Sequence, residues 1–144
     1  MTRSGKSGKV RKQFAALPWR ETPSLGLEVL LITSRETGRW VVPKGWPIKG
    51  LSPGFAALRE AFEEAGVEGY ASQAPVGCYL YDKRLATGAL QPVRVEVFAM
   101  QVSIEHDRWP EQHERERLWS ALSVASTMVD EPDLGQLIAG FSPT

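Results

Sequence analysis

Apolar runs separated by short polar or glycine-containing segments dominate the first third of the chain. Residues 13–19, 27–33 and 39–43 are predicted β-strands, because each run is apolar and is bounded by turn-forming residues at 20–26 and 34–38. Residues 76–84 and 93–104 predict a further strand pair joined by the turn at 85–92. Short helical patterns follow near 121–129 and 132–140. The order of these elements predicts one mixed α+β domain.

One longer helix is predicted after a loop rich in glycine and proline at residues 44–54. Ser52 is the expected N-cap, and Pro53 suits the first helical position, where its missing N–H is not needed. The helix is expected to continue to about Ala65 and to end at Gly66, a residue that readily adopts the left-handed conformation of a helix terminus.

This helix is amphipathic, and its polar side is unusually acidic. Glu60, Glu63 and Glu64 fall close together on the helix surface, with Arg59 beside them. The side chains expected to pack against a sheet form an apolar stripe on the opposite side: Phe55, Leu58, Phe62 and Ala65.

Composition and charge place the chain among ordinary globular proteins. It has 144 residues, 42% apolar and 24% charged, with 17 basic and 17 acidic side chains. This balance argues against a nucleic-acid duplex as a partner, and no apolar run is long enough to predict a membrane partner. A single cysteine, Cys78, favours a reducing, cytoplasmic setting. We expect a disordered basic tail over residues 1–9 and one domain over residues 10–144.

The acidic turn of the helix has two interpretations. It is either a solvated helix face or a cation site, because three carboxylates this close repel one another unless water or a cation separates their charges. Mg²⁺ is the cation that best suits carboxylate oxygens. Helical spacing alone does not choose between the two.

The preceding loop adds a second constraint. Together with the helix it resembles the signature of the Nudix hydrolases: glycine, five residues, glutamate, seven residues, then Arg-Glu-apolar-x-Glu-Glu-x-Gly-apolar. The matching positions are Gly45, Arg59, Glu60, Ala61, Glu63, Glu64, Gly66 and Val67. One position departs from the signature, since Leu51 stands where the first glutamate is expected. That departure leaves open a Nudix-fold binding module that does not turn its ligand over.

The resemblance implies a fold, a reaction and a metal. The implied fold is a mixed β-sheet sandwiched between helices, an α/β/α sandwich, and the implied enzyme is a diphosphohydrolase that cleaves a diphosphate linked to another group. Mg²⁺, with Mn²⁺ as a substitute, is the implied cofactor, and Glu60, Glu63 and Glu64 are its implied ligands. Glu63 and Glu64 would be catalytic, Arg59 would orient a carboxylate, and Gly45 and Gly66 would be structural.

Many members of this family use a further glutamate from a distant loop as general base or additional ligand. The candidates here lie in the charged segment before Trp119: Glu111, Glu114 and Glu116. Glu114 is favoured, followed by Glu111, although no fixed motif distinguishes them from solvated loop charges.

The substrate is expected to be a densely phosphorylated small molecule, because several basic residues surround the predicted site. The residues expected to bind its phosphates are Arg11, Arg35, Arg39, Lys44 and Arg117. Residues 10–120 are also similar, in strand pattern, to the diphosphoinositol polyphosphate phosphohydrolase branch, whose members also cleave dinucleoside polyphosphates. A nucleotide sugar or a capped RNA end is the alternative substrate. The predicted assembly is a monomer or a homodimer.

Overall fold

The computed structural model of the protein describes residues 8–143, which contain eight strands and three helices. The strands are β1 (Arg11–Thr22), β2 (Gly26–Thr33), β3 (Trp40–Val41), β4 (Lys44–Gly45), β5 (Val67–Ala71), β6 (Gly77–Arg84), β7 (Leu90–Glu105) and β8 (Arg117–Ala121). The helices are α1 (Pro53–Ala65), α2 (Leu122–Met128) and α3 (Pro132–Ala139). Most of the predicted tail, residues 1–7, lies outside the described residues, so the tail and the domain boundary at residue 10 stay predictions.

The strands form one mixed sheet. Its central order is β3-β2-β1-β7-β5, while β4 pairs with β1, β6 with β7 and β8 with β2. β1 and β7 are parallel, from Arg11 opposite Val93 to Trp19 opposite Gln101. The predicted antiparallel pairing of residues 76–84 with 93–104 is confirmed by β6 and β7. β5 was not predicted, because its five residues VEGYA contain a glycine and form no continuous apolar run.

Helices cover both faces of the sheet. Successive residues of β1 and β2 point to opposite layers: Leu17 and Leu31 pack in the layer that holds α2 and α3, while Ala16 and Leu30 pack in the layer that holds α1. Strands buried on both faces are expected to be continuously apolar, as these are. The predicted α/β/α sandwich is therefore confirmed.

The ends of α1 are where the sequence predicts them. The Ser52 side chain accepts a hydrogen bond from the backbone N–H of Phe55, and Gly66 has a φ of 70°. The predicted packing face is wrong for Phe55, which is 63% exposed, and for Phe62, which is only partly buried. The side chains buried on α1 are four alanines and one glutamate: Ala56, Ala57, Ala61, Ala65 and Glu64. Small side chains let the helix lie close to the sheet, and this orientation turns part of the acidic face inward.

Within residues 8–143, no helix is both long enough and apolar enough to cross a membrane.

Candidate functional site

A polar cavity of about 810 Å³ opens beside the acidic face of α1. Its walls come from β1, the β2–β3 loop, β4, α1, β6 and the segment before β8. The charged side chains of the described lining are Arg35, Glu36, Arg39, Lys44, Glu60, Glu64, Asp82, Lys83, Arg84, Glu111 and Arg115. Acidic and basic groups from several elements therefore face the same space.

Glu60 and Glu64 are the acidic residues that α1 contributes to this cavity. Glu64 is buried, and its Oε1 accepts a 3.4 Å hydrogen bond from the backbone N–H of Lys44 and lies 3.6 Å from Nη2 of Arg115. Burial raises the pKa of Glu64 to about 8, and the positive charge of Arg115 opposes this rise. Burial also raises the pKa of Glu60, while its hydrogen bond with Glu64 acts in the opposite direction.

Gly45 explains how Glu60 fits under the loop. A β-carbon at position 45 would lie only 2.4 Å from Cδ of Glu60, well inside van der Waals contact. Gly45 pairs with Phe14 of β1, so its backbone is fixed by the sheet. The absence of a side chain at this position lets the Glu60 carboxylate occupy the wall of the cavity.

The donor set fits a hard divalent cation. Two carboxyl groups with raised pKa values sit one helical turn apart, and a cation between them would favour their charged forms. Within residues 8–143, no three acidic, histidine or cysteine side chains are grouped closely enough to hold a metal by themselves. Mg²⁺ usually keeps several waters and takes one or two protein carboxylates plus substrate phosphates. Glu63 is partly buried and is not among the described lining residues, so its role as a ligand stays a prediction.

Three of the predicted phosphate-binding residues line the cavity. Arg35 donates a 3.2 Å hydrogen bond to Glu114, and Arg39 donates a 2.8 Å hydrogen bond to Glu131. Lys44 is partly buried, and its ammonium lies 5.2 Å from the centroid of the Tyr81 ring. Burial lowers the pKa of Lys44 to about 8, although the carboxylate of Glu64 opposes this effect. The cavity therefore combines one exposed guanidinium group, one partly buried guanidinium group and one partly buried amine.

Arg11 and Arg117 are not among the described residues that line the cavity. The Arg11 guanidinium lies 4.0 Å from the centroid of the Trp46 ring, at the edge of the site. Arg117 lies at the C-terminal end of α1, where it donates to the carbonyl oxygens of Ala65 (2.9 Å) and His106 (2.7 Å). Its guanidinium stacks on Trp109, 3.9 Å from the ring centroid. These contacts give Arg117 a helix-capping position.

The three candidate glutamates before β8 have different surroundings. Glu111 lines the cavity and accepts a 2.9 Å hydrogen bond from Arg115. The favoured candidate, Glu114, pairs with Arg35 and is not among the described lining residues, and neither is Glu116. The position of Glu111 therefore favours it over the other two. Arg59 is exposed on α1, and its charge opposes the rise that burial causes in the pKa of the neighbouring Glu60.

Sequence analysis missed the contribution of β6 to the cavity. Tyr81, Lys83 and Arg84 line it, and the Tyr81 hydroxyl donates a 2.7 Å hydrogen bond to Oε1 of Gln13 on β1. Strand alternation places Tyr81 and Lys83 on the same face of β6. The sequence does not state which face meets the site, since that depends on how the β6–β7 hairpin joins β1.

No family model matches the chain. The chain is 32% identical over 135 residues to Nudix hydrolase 21, chloroplastic, of Arabidopsis thaliana, an alignment that covers 91% of this chain and 66% of the relative. It is 56% identical over 43 residues to diphosphoinositol polyphosphate phosphohydrolase 3-beta of Bos taurus, which covers 29% of this chain and 26% of the relative. The chain spans about half to two thirds of the length of the plant relatives it matches.

The fold also has solved counterparts. The crystal structure of C. elegans Ap4A hydrolase superposes with a TM-score of 0.61 and 22% sequence identity, covering 91% of this chain and 95% of that chain. At this level of identity the likeness concerns the fold alone.

Proposed function

This chain belongs to the Nudix hydrolase family, and we propose that it hydrolyses a diphosphate linkage in a polyphosphorylated small molecule with the help of Mg²⁺. The observation that carries the proposal is the carboxyl pair Glu60 and Glu64, which share a cavity wall and have raised pKa values. A carboxyl pair whose pKa values are raised by burial destabilises a protein when it is ionised, so its presence opposite basic side chains favours a metal-and-phosphate site.

The proposed chemistry divides among the residues of the cavity. Mg²⁺, held by Glu60 and Glu64, would neutralise phosphate charge and make water more acidic. Arg35, Arg39 and Lys44 would bind phosphate oxygens, since hydrolysis of a diphosphate depends chiefly on positioning and charge neutralisation. Glu111 would accept the proton of the attacking water.

Basic side chains from four elements support a substrate with several phosphates. Besides Arg35, Arg39 and Lys44, the lining contains Lys83, Arg84 and Arg115. A diphosphoinositol polyphosphate or a dinucleoside polyphosphate has enough negative charge for such a wall. The names of the Bos taurus relative and the C. elegans neighbour point to these two classes.

A phosphate-ligand binding module without turnover is the second candidate, and Leu51 favours it. Leu51 takes the position of the motif glutamate, packs at the edge of the α1 core layer, and donates its backbone N–H to the carbonyl oxygen of Ile48 at 3.0 Å. An apolar side chain there leaves the metal with fewer carboxylates nearby.

The two candidates differ in product release. Purified protein with Mg²⁺ would be incubated with diadenosine tetraphosphate, a diphosphoinositol polyphosphate, a nucleotide sugar and capped RNA, and products would be separated by ion-exchange chromatography. Glu64→Gln should abolish turnover, while Glu116→Gln, the same chemical change on a residue outside the described lining, should leave it intact. No product from any substrate, together with a Mg²⁺-dependent rise in Tm, would favour the binding module.

A further inference from the structure

Arg39 is held from two sides. Its backbone closes the β2–β3 turn, where its carbonyl oxygen accepts a 2.8 Å hydrogen bond from the N–H of Ser34. Its side chain reaches the segment between α2 and α3 and forms a 2.8 Å ion pair with Glu131. The same segment touches the neighbouring strand through a bridge between Trp40 and Val129. The guanidinium is therefore fixed relative to both helical and sheet layers.

Glu131 is unusual among the acidic side chains of this region. Its side chain is only 11% exposed, and its Oε1 is buried with no hydrogen-bond partner among the described residues. A buried carboxylate with one unpartnered oxygen depends strongly on its charge partner, because removing that partner leaves an uncompensated charge. Arg39 is that partner, so the pair is expected to persist when ligands enter the cavity.

The contact leaves much of the guanidinium unused. Within the described residues, both ion pairs of Arg39 use the same nitrogen, Nη1: Glu131 at 2.8 Å and Asp130 at 3.8 Å. A guanidinium has five N–H donors in a rigid plane, so a carboxylate on one side fixes the direction of the others. Since Arg39 also lines the cavity, those donors can meet a phosphate there.

We propose that Glu131 is a positioning residue for phosphate binding: it orients Arg39 toward the cavity without touching the substrate itself. The proposal rests on the proposed function, because it concerns how the same cavity binds phosphate. A purely electrostatic role predicts the opposite sign, since a carboxylate near the cavity would repel a polyanion and its removal would tighten binding.

Calorimetric titration with inositol hexakisphosphate in EDTA tests the proposal directly, because this probe carries phosphates but no diphosphate linkage. Glu131→Gln should weaken binding by on the order of tenfold, the scale of one lost charge-assisted hydrogen bond. Asp130→Asn is the matched control: Asp130 is the adjacent acid, 73% exposed and farther from Arg39, and its loss should change Kd by less than about twofold.

A double-mutant cycle separates positioning from a structural role. If Glu131 acts through Arg39, Glu131→Gln should have no further effect on Kd in an Arg39→Ala background. An equal loss of affinity in both backgrounds, or tighter binding by Glu131→Gln, would overturn the proposal. Should Glu131→Gln not fold, Glu131→Asp takes its place, because the shorter side chain lengthens the contact and keeps the charge.

Hydrolysis and binding then report on different claims. Failure of the parent protein to bind the probe would overturn the positioning role, whereas turnover of diadenosine tetraphosphate by the same preparation would leave the proposed function standing. Binding that depends on Glu131, without turnover of any substrate, would instead refute the proposed hydrolase function and support the positioning role.

Discussion

Glu64→Gln is expected to stabilise the metal-free protein near neutral pH, although it removes an ionisable group from the candidate active site. The pKa of Glu64 is raised from 4.5 to about 8 in the folded protein. At pH values between these two pKa values, Glu64 holds a proton in the folded protein and has released it in the unfolded chain. Stability from this group is therefore fully present below about pH 4.5 and is lost as the pH rises through about 8.

The magnitude follows from the same two pKa values. Each pKa unit corresponds to about 1.4 kcal/mol, so the parent protein should lose roughly 3 kcal/mol of unfolding free energy between about pH 5 and about pH 7.5. For a domain of this size the loss corresponds to roughly 10 °C in Tm. Glutamine cannot ionise, so Glu64→Gln should show little of this dependence.

Urea denaturation in EDTA, followed by circular dichroism at several pH values, measures the effect. The upper limit of about pH 7.5 matters because Lys44, with its pKa lowered to about 8, stabilises the fold as the pH rises beyond that value. Glu63→Gln is the matched control: it removes an equal charge from a partly buried position on the same helix and should retain the parent's slope. Equal slopes of unfolding free energy against pH for the parent and Glu64→Gln would refute the reasoning.

Added Mg²⁺ should stabilise the parent more at about pH 7.5 than at about pH 5, because carboxylates bind a metal ion in their deprotonated form.

Three further substitutions test other parts of the site. Gly45→Ala should push the Glu60 carboxylate out of place and lower kcat by on the order of 10²-fold in steady-state assays, and a kcat within about twofold of the parent would contradict this. Arg117→Ala should cost about 3 kcal/mol in urea denaturation through lost hydrogen bonds and stacking, with KM nearly unchanged; unchanged stability with a raised KM would instead make it a substrate contact. Glu111→Gln should lower kcat on the order of 10²-fold and shift its pH profile, while Glu114→Gln stays within about threefold; the reverse order would restore the sequence-based preference.

Local signals in the sequence predicted local structure well. Ser52, Pro53 and Gly66 each act within one helical turn, so the ends of α1 follow from chemistry that neighbouring residues supply. Apolar runs likewise located five of the strands, and the helices near residues 121–129 and 132–140 are confirmed by α2 and α3.

The orientation of α1 did not follow from the same signals. A hydrophobic stripe predicts burial of the largest apolar side chains, yet Phe55 faces outward and Ala57 and Ala61 face the sheet. Close packing of the helix against the sheet stabilises the fold, and so does burial of apolar area. Which of the two contributions decides the orientation of the helix is visible only in the assembled fold. The inward turn of Glu64 depends on this choice.

The cavity was only partly predictable for a related reason. Basic residues close in sequence to the motif, such as Arg35, Arg39 and Lys44, are predicted phosphate contacts, and the structure places them in the cavity lining. Lys83 enters the site because β7, the hairpin partner of β6, pairs with the distant strand β1. Arg117 forms hydrogen bonds with carbonyl oxygens at the end of α1 instead. Pairings between distant segments carry no signal in a single sequence.

The parallel pairing of β1 with β7 has a consequence for how the protein folds. It joins Arg11 to Val93 and Trp19 to Gln101, segments separated by more than half of the chain, whereas the β6–β7 hairpin and α1 form from near neighbours. Closing so large a loop is entropically unfavourable, so folding should be slow, on the order of milliseconds to seconds. Gln13 of β1 meets Tyr81 of β6 only after this closure. Recovery of phosphate binding during refolding should therefore lag behind recovery of secondary structure. Ligand binding would then measure when β1 pairs with β7.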